Sequence, residues 1–457
     1  CYDLHEVVRQ YARSYLADDP QDETATLDRH CDLYLGLLRD RERALKSAAQ
    51  RETIQELTDA IDNVRAGWSW AIQRDKFVLV GQALRCFGAF SDIRGWLRNG
   101  IDELELLVQA LRTSPENDER QKVLGQALAQ QSLLYFRQGQ FNMALKLLDE
   151  SLALLRPFEN PALLTDPLIY SAVIMFLEGE LERSQSLMDE GLESARAADD
   201  AWFEAYALYN TGYIASLQGR YTKAYQEMLD GLAIWRRLGD PRATALGLNY
   251  LSPTAIKLGH YEEAQAFLQE SIRLTTQVGD RWGMGTAYRH LGLAALARGN
   301  VAEAQRHIQK SLDLFAGFIT GWDVVRSLVY LGEATAVGGD LSAAERIFLD
   351  ALHQALAAQA TPLALDALVG LAELRVRTGD AAGALALSLC VLGHTASTQE
   401  AQERAAQLHA QATSRLTPQE IDAINGRAPK KTLEAAVSEF LTDAPASNGT
   451  LERTSYS

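Results

Sequence analysis

The chain has little basic charge, few prolines, only four cysteines and no long apolar run, and each shortage argues against a class of protein. Its 44 Lys and Arg stand against 60 Asp and Glu, a formal charge of −16. Nucleic acid is bound largely by neutralising phosphates, so direct nucleic-acid contact is not expected. Cys1, Cys31, Cys86 and Cys390 lie far apart and form no C-x-x-C. Neither a disulfide-stapled secreted domain nor a structural zinc site is expected. The longest apolar stretch, Ala384 to Leu392, is half of the roughly 18 residues a membrane span needs. The amino end is charged within three residues, so we expect no signal peptide, no membrane partner and a cytoplasmic location. It opens on Cys1 without an initiator Met, which we read as the interior of a longer chain.

Catalytic signatures are missing too. There is no G-x-x-x-x-G-K-[ST] and no G-x-S-x-G, and His5-Glu6-Val7-Val8-Arg9 has Arg where a zinc protease needs its second His. The eight histidines fall singly along the chain. No enzymatic activity and no cofactor are expected of these residues. With eleven prolines, 32 glycines and 47% hydrophobic residues, the composition suits long helices around a folded interior.

What is present is a register. Glycine stands at 139, 179, 219, 259, 299, 339 and 379, six intervals of 40 residues. Five positions after each comes a small residue: Ala144, Ser184, Ala224, Ala264, Ala304, Ala344, Ala384. Seven before each comes another: Ser132, Ala172, Gly212, Ser252, Gly292, Gly332, Ala372. Large apolar residues hold the columns 11 before and 13 after, as in Leu208 and Leu232. Each unit reads as two helices. The first runs from about 18 to 2 residues before its Gly and ends there, because a left-handed backbone suits Gly. The small columns let the two helices approach closely. Asp200, Asp240 and Asp280 are placed to cap the following helix. One pair cannot bury its apolar face alone, so the units must stack.

These columns resemble the tetratricopeptide repeat (TPR), through Leu291-Gly292, Leu331-Gly332 and the turns Gly219-Arg220-Tyr221-Thr222-Lys223-Ala224 and Gly259-His260-Tyr261-Glu262-Glu263-Ala264. The departure is a 40-residue rather than a 34-residue unit. HEAT and armadillo arrays share that period but do not need the Gly-then-Ala turn. A WD40 propeller is dismissed, because Gly259-His260 and Trp322-Asp323 are separated by helical, not alternating, patterning. The resemblance implies an all-α fold, a right-handed solenoid of stacked helix pairs.

The amino-terminal segment Leu4-His5-Glu6-Val7-Val8-Arg9-Gln10-Tyr11-Ala12 and the later Ile61-Asp62-Asn63-Val64-Arg65-Ala66-Gly67-Trp68-Ser69-Trp70-Ala71 are similar to the junction after the ATPase core of STAND signalling ATPases and transcriptional regulators of the NB-ARC kind. The resemblance implies that residues 1–19 end a winged-helix-like junction. Residues 20–115 then form a helical linker with a degenerate repeat: Phe77 to Phe90, then Trp96 to Leu111, with Gly100 near the expected phase. Residues 116–398 hold seven repeats, 399–443 form capping helices that include a start at Thr417-Pro418-Gln419-Glu420 and a last helix Leu433 to Leu441, and 444–457 form a disordered tail.

In TPR proteins the first-helix columns 13, 10, 9 and 6 before the Gly line the concave groove. Here they supply Tyr206 and Arg326; Tyr209, Asn249 and Arg289; Tyr170, Asn210, Tyr250, His290 and Tyr330; Tyr213, Glu333 and Glu373. Tyr, Asn, Arg and His are the types enriched where surfaces bind. The candidate binding residues are Tyr206, Tyr209, Asn210, Tyr213, Asn249, Tyr250, Arg289, His290, Arg326, Tyr330 and Glu333. In a tight superhelix the same side chains could instead pack across the hollow. Trp202, Trp282 and Trp322, 17 before their Gly, read as staples between repeats. Pro253 lies inside a first helix and predicts a kink or break there, with a local bend of the array. The expected function is the TPR sensor arm of a STAND-type regulator, holding a protein, a peptide or a small effector. The alternative is a stand-alone TPR adaptor. Any anionic partner group should be small and local, such as a carboxylate or phosphate.

Overall fold

The structure is a computed structural model that describes residues 11–12, 14–16, 18–115, 117–316 and 321–426. The expectations for the segment from Leu4 to Arg9, for the last helix Leu433 to Leu441 and for the tail 444–457 lie outside the described residues. Among those described, every regular element is a helix, and sequential helices pack as antiparallel neighbours. No helix among them is long and apolar enough to cross a membrane.

The 40-residue register is realised turn by turn. Ala201–Leu217 spans 18 to 2 residues before Gly219, and Tyr221–Leu238 follows. All seven register glycines have φ between +74° and +95°. At Gly219 the N–H donates to Ser216 O and the Arg220 N–H to Ala215 O, the paired bonds that close a helix through a left-handed residue. A second left-handed column, at the ends of five second helices among the described residues, was not evident from glycine alone. It holds Glu159, Asp199, Gly239, Gly279 and Gln359, with φ from +48° to +75°. The predicted caps form: Asp200, Asp240 and Asp280 accept from the N–H groups of Phe203, Ala243 and Gly283 at 3.0–3.2 Å.

Close approach explains the small columns. A Cβ on Gly212 would lie 2.8 Å from Ala224 O, across the pair. A Cβ on Gly231, in a second helix, would lie 2.7 Å from Ala205 O of the first helix of its own unit.

Two expectations fail. The extra pair before the array turns at Gly95, φ +68°, between Phe77–Arg94 and Leu97–Thr113. Gly100 sits inside the second helix, where a Cβ would lie 2.7 Å from Leu134 Cδ1, so its small size serves packing. Nor does Pro253 break its helix, which is continuous over Pro241–Lys257. Proline removes one N–H, and Pro167 is accommodated in the same way within Pro161–Leu177. Around Pro253, the buried Ser252 hydroxyl donates to Leu248 O at 2.6 Å, and Leu248, Leu251 and Ala255 are fully buried. Packing on both sides holds the helix where a free peptide would open.

The array winds tightly enough to meet itself edge to edge. Gln50 Nε2 donates to Asp240 at 3.2 Å, Asn142 Nδ2 to Gln359 at 3.1 Å, and Lys257 pairs with Glu400 at 2.5 Å. Ala396 packs against Gly179 and Gln399 against Gly219. The three polar contacts join residues 190, 217 and 143 positions apart, so units several repeats apart meet. The first helices therefore face a partly open hollow, and the second helices lie mostly on the outside.

Candidate functional site

The hollow holds a cavity of about 590 Å³, inside the 300–1,000 Å³ range typical of small-ligand sites. Its wall is built mainly from the first helices of successive units, with the Leu45–Gln50 turn and, from second helices, Phe141, Gln354 and Ala357. On Ala201–Leu217 the lining positions include the columns 17, 13, 10, 9 and 6 before the Gly, one stripe at helical spacing, and the other first helices contribute parts of it.

Six of the eleven candidate residues come together on this wall: Tyr206, Tyr209, Asn210, Tyr213, Tyr250 and Arg326. Their rings form a continuous run. Tyr206 stacks on Trp202 at 5.4 Å, Tyr209 meets Tyr250 edge-on at 5.9 Å, and Tyr213 meets Tyr250 edge-on at 5.3 Å. Edge-on pairs at these distances are attractive and rigidify the wall. Burial pushes the phenol of Tyr206 up to about 12, so it remains a neutral hydrogen-bonding group at physiological pH.

The other five lie elsewhere. Asn249 is buried between repeats, donating to Gly283 O at 2.9 Å and accepting from Ser271 at 2.7 Å. Arg289 is fully buried and pairs with Asp323 at 2.9 Å. His290 is buried against Tyr250, and burial holds its pKa well below the ordinary value. Tyr330 packs into the carboxy-terminal core. Glu333 borders a smaller hollow of about 220 Å³ and pairs with Arg404 at 2.6 Å.

The wall also contains charges that the sequence reading passed over. Arg85 donates to Asp166 and Asp200, both at 2.8 Å, and Gln130 donates to Asp166 at 2.7 Å. Asp92 sits between Arg137 at 2.6 Å and Arg242 at 3.0 Å. Burial alone would raise the Asp92 carboxyl, but the two guanidiniums outweigh it and hold it below the usual value. Asp240 has no such compensation; burial pushes its pKa up, although Ala243 N–H, Trp202 and Gln50 all donate to it.

A signal for several of these was available. Asp166, Leu246 and Asp366 occupy the same column as Tyr206 and Arg326, and Arg242 shares the column of Trp202, Trp282 and Trp322. That tryptophan column does tie repeats together: Trp202 donates to Asp240 at 2.9 Å and Trp282 to Asp323 at 2.6 Å. It is also cavity wall, all three indoles included.

The class these features define is an all-helical TPR-like repeat solenoid wound around an aromatic interior cavity. No protein-family model matches the chain, and no curated protein matches it in sequence. Solved structures do. A Rap protein complexed with competence and sporulation factor aligns over 77% of this chain and 98% of its own, with TM-score 0.58 and 13% identity. The Rap conjugation gene regulator of plasmid pLS20, in complex with the Phr* peptide, aligns over 72% and 96%, with TM-score 0.53 and 13% identity. A STAND protein with a tetratricopeptide repeat sensor, PH0952 from Pyrococcus horikoshii, aligns over 85% and 54%, with TM-score 0.47 and 15% identity. At these identities the likeness is one of fold.

Proposed function

We propose that the chain is a peptide-sensing repeat arm that encloses its ligand in the aromatic cavity. The observation that carries this is the cavity itself: about 590 Å³, walled by rings held in fixed mutual contact. Two fold neighbours were solved in complex with competence and sporulation factor and with the Phr* peptide, which supports a peptide ligand here. A ligand inside a closed superhelix touches several units at once, so it favours the wound arrangement over a looser one and shifts that equilibrium by its differential affinity. The resemblance of Ile61–Ala71 and of the amino-terminal segment to STAND junctions supports placing this arm after an ATPase core.

The test is affinity selection of a random pentapeptide library on the full chain, beside Tyr213→Ala and Tyr250→Ala. Retention by the parent chain and its loss in both variants is expected. Equal retention by all three removes the cavity from the reading. The STAND placement requires a coding sequence upstream of Cys1 with a G-x-x-x-x-G-K-[ST]; its absence leaves the stand-alone adaptor.

A further inference from the structure

Five cations line the cavity: Lys46, Arg85, Arg137, Arg242 and Arg326. Lys46 pairs with Glu42 at 3.3 Å, Arg85 with Asp166 and Asp200, and Arg137 and Arg242 with Asp92. Arg326 differs from them. Among the described residues it has no hydrogen bond and no carboxylate within 4.0 Å. Its guanidinium lies over the Trp322 ring, 5.4 Å from the centroid. The tyrosines acting on it electrostatically are Tyr213, Tyr330 and Tyr250, and the Tyr213 and Tyr250 hydroxyls also have no partner among the described residues. Asp366 acts on it only from beyond ion-pair distance.

A part-buried guanidinium whose N–H groups meet no acceptor is costly unless something else supplies one. The neighbouring Arg289, by contrast, has a direct counter-ion in Asp323 at 2.9 Å. We infer that Arg326 is the anchor for a carboxylate of the ligand, and that this carboxylate is the C-terminus of a short peptide whose last side chains lie against Trp322, Tyr213 and Tyr250. The five cations of the wall face five aspartates, Asp92, Asp166, Asp240, Asp280 and Asp323, so a monoanion adds less negative charge to it than a phosphate dianion would. The planar fork of Arg suits a carboxylate, and the tyrosine hydroxyls offer it further donors. The rings beside it take apolar or aromatic side chains.

This inference rests on the peptide-sensing reading, and its test separates the two. Two pentapeptide libraries, one with free C-termini and one with C-terminal carboxamides, are selected on the full chain, on Arg326→Gln and on Arg326→Lys. A lost charge-assisted hydrogen bond should weaken binding about 10- to 100-fold. The parent chain should therefore retain free acids over amides by that factor, Arg326→Gln should show no preference, and Arg326→Lys should recover part of it. Equal retention of acids and amides by the parent chain overturns the anchor and leaves peptide sensing standing. Should neither library be retained while 3-phenylpropionate raises the melting temperature of the parent chain but not of Arg326→Gln, the anchor stands and the peptide is overturned. No retention and no shift overturns both. If Arg326→Gln fails to fold, judged by its circular dichroism, the acid–amide comparison on the parent chain decides alone.

Discussion

Asp92→Asn is the sharpest perturbation of the wound architecture. Asp92 lies on Phe77–Arg94, Arg137 on Asp118–Arg137 and Arg242 on Pro241–Lys257, so one carboxylate ties the linker helices to a unit 150 residues away. Asparagine keeps the shape and removes the charge, leaving two guanidiniums facing each other. Removing one partner of a buried pair costs about 3–5 kcal/mol. Here the side chains are 11%, 22% and 25% exposed, so solvent screening places the expected loss near the lower end, about 3 kcal/mol. A long repeat array does not unfold in two states, so native-state hydrogen exchange is the proper assay. The opening free energies of 77–94, 118–137 and 241–257 should fall together, while 361–378 should stay unchanged. The loss should also depend on pH. Asp92 is held below its ordinary 3.8, so its contribution is present above about pH 4 and fades as pH falls through its folded-state value. Parent and variant should converge in acid. A change under about 0.5 kcal/mol, or an equal fall in every helix, would refute the assignment of Asp92 as a tie between turns.

Asp366 should behave in the opposite sense. Its carboxyl is raised from 3.8 to about 6 by burial, so the folded chain binds the proton more tightly and stability is lost as pH rises from about 4 through 6. Asp366→Asn should melt higher than the parent at pH 8, by a margin that shrinks as pH falls toward 4; a difference that does not change with pH contradicts this. The glycines give a paired test. Gly231→Ala should lower the melting temperature, because overpacking of about 1–3 kcal/mol against backbone 2.7 Å away exceeds the helix-propensity gain of about 1 kcal/mol. Gly36→Ala, where a Cβ meets only Arg39 at 3.8 Å, should raise it. The same sign at both positions would mean that propensity, not close approach, sets the glycine columns.

The helix pairs, their ends and their caps were legible because they are local: a left-handed Gly, a capping Asp and an apolar period act within one unit. About half of the candidate residues line the cavity for the same reason, as a stripe on a single helix. What was hidden is the superhelical winding. Whether Arg289 binds a ligand or Asp323 depends on the rotation between adjacent units, and column position does not encode it. Asn249 and His290 turn inward between repeats for that reason. The ion pairs Arg85–Asp166 and Asp92–Arg242 span 81 and 150 residues and follow from closure of the superhelix. Pro253 misled because a proline penalty was weighed against one helix in isolation, whereas its neighbours bury Leu248, Leu251 and Ala255 completely.

The central claim is that the ligand is a peptide held inside the superhelix. The most direct measurement is photo-crosslinking of a selected pentapeptide carrying a benzophenone side chain to the full chain, with the modified residues mapped by mass spectrometry. The account predicts adducts on the cavity stripe, among Tyr206, Tyr213, Tyr250 and Trp322 to Arg326. Adducts confined to the outer second helices, around the exposed Leu106 or Met143, would contradict it.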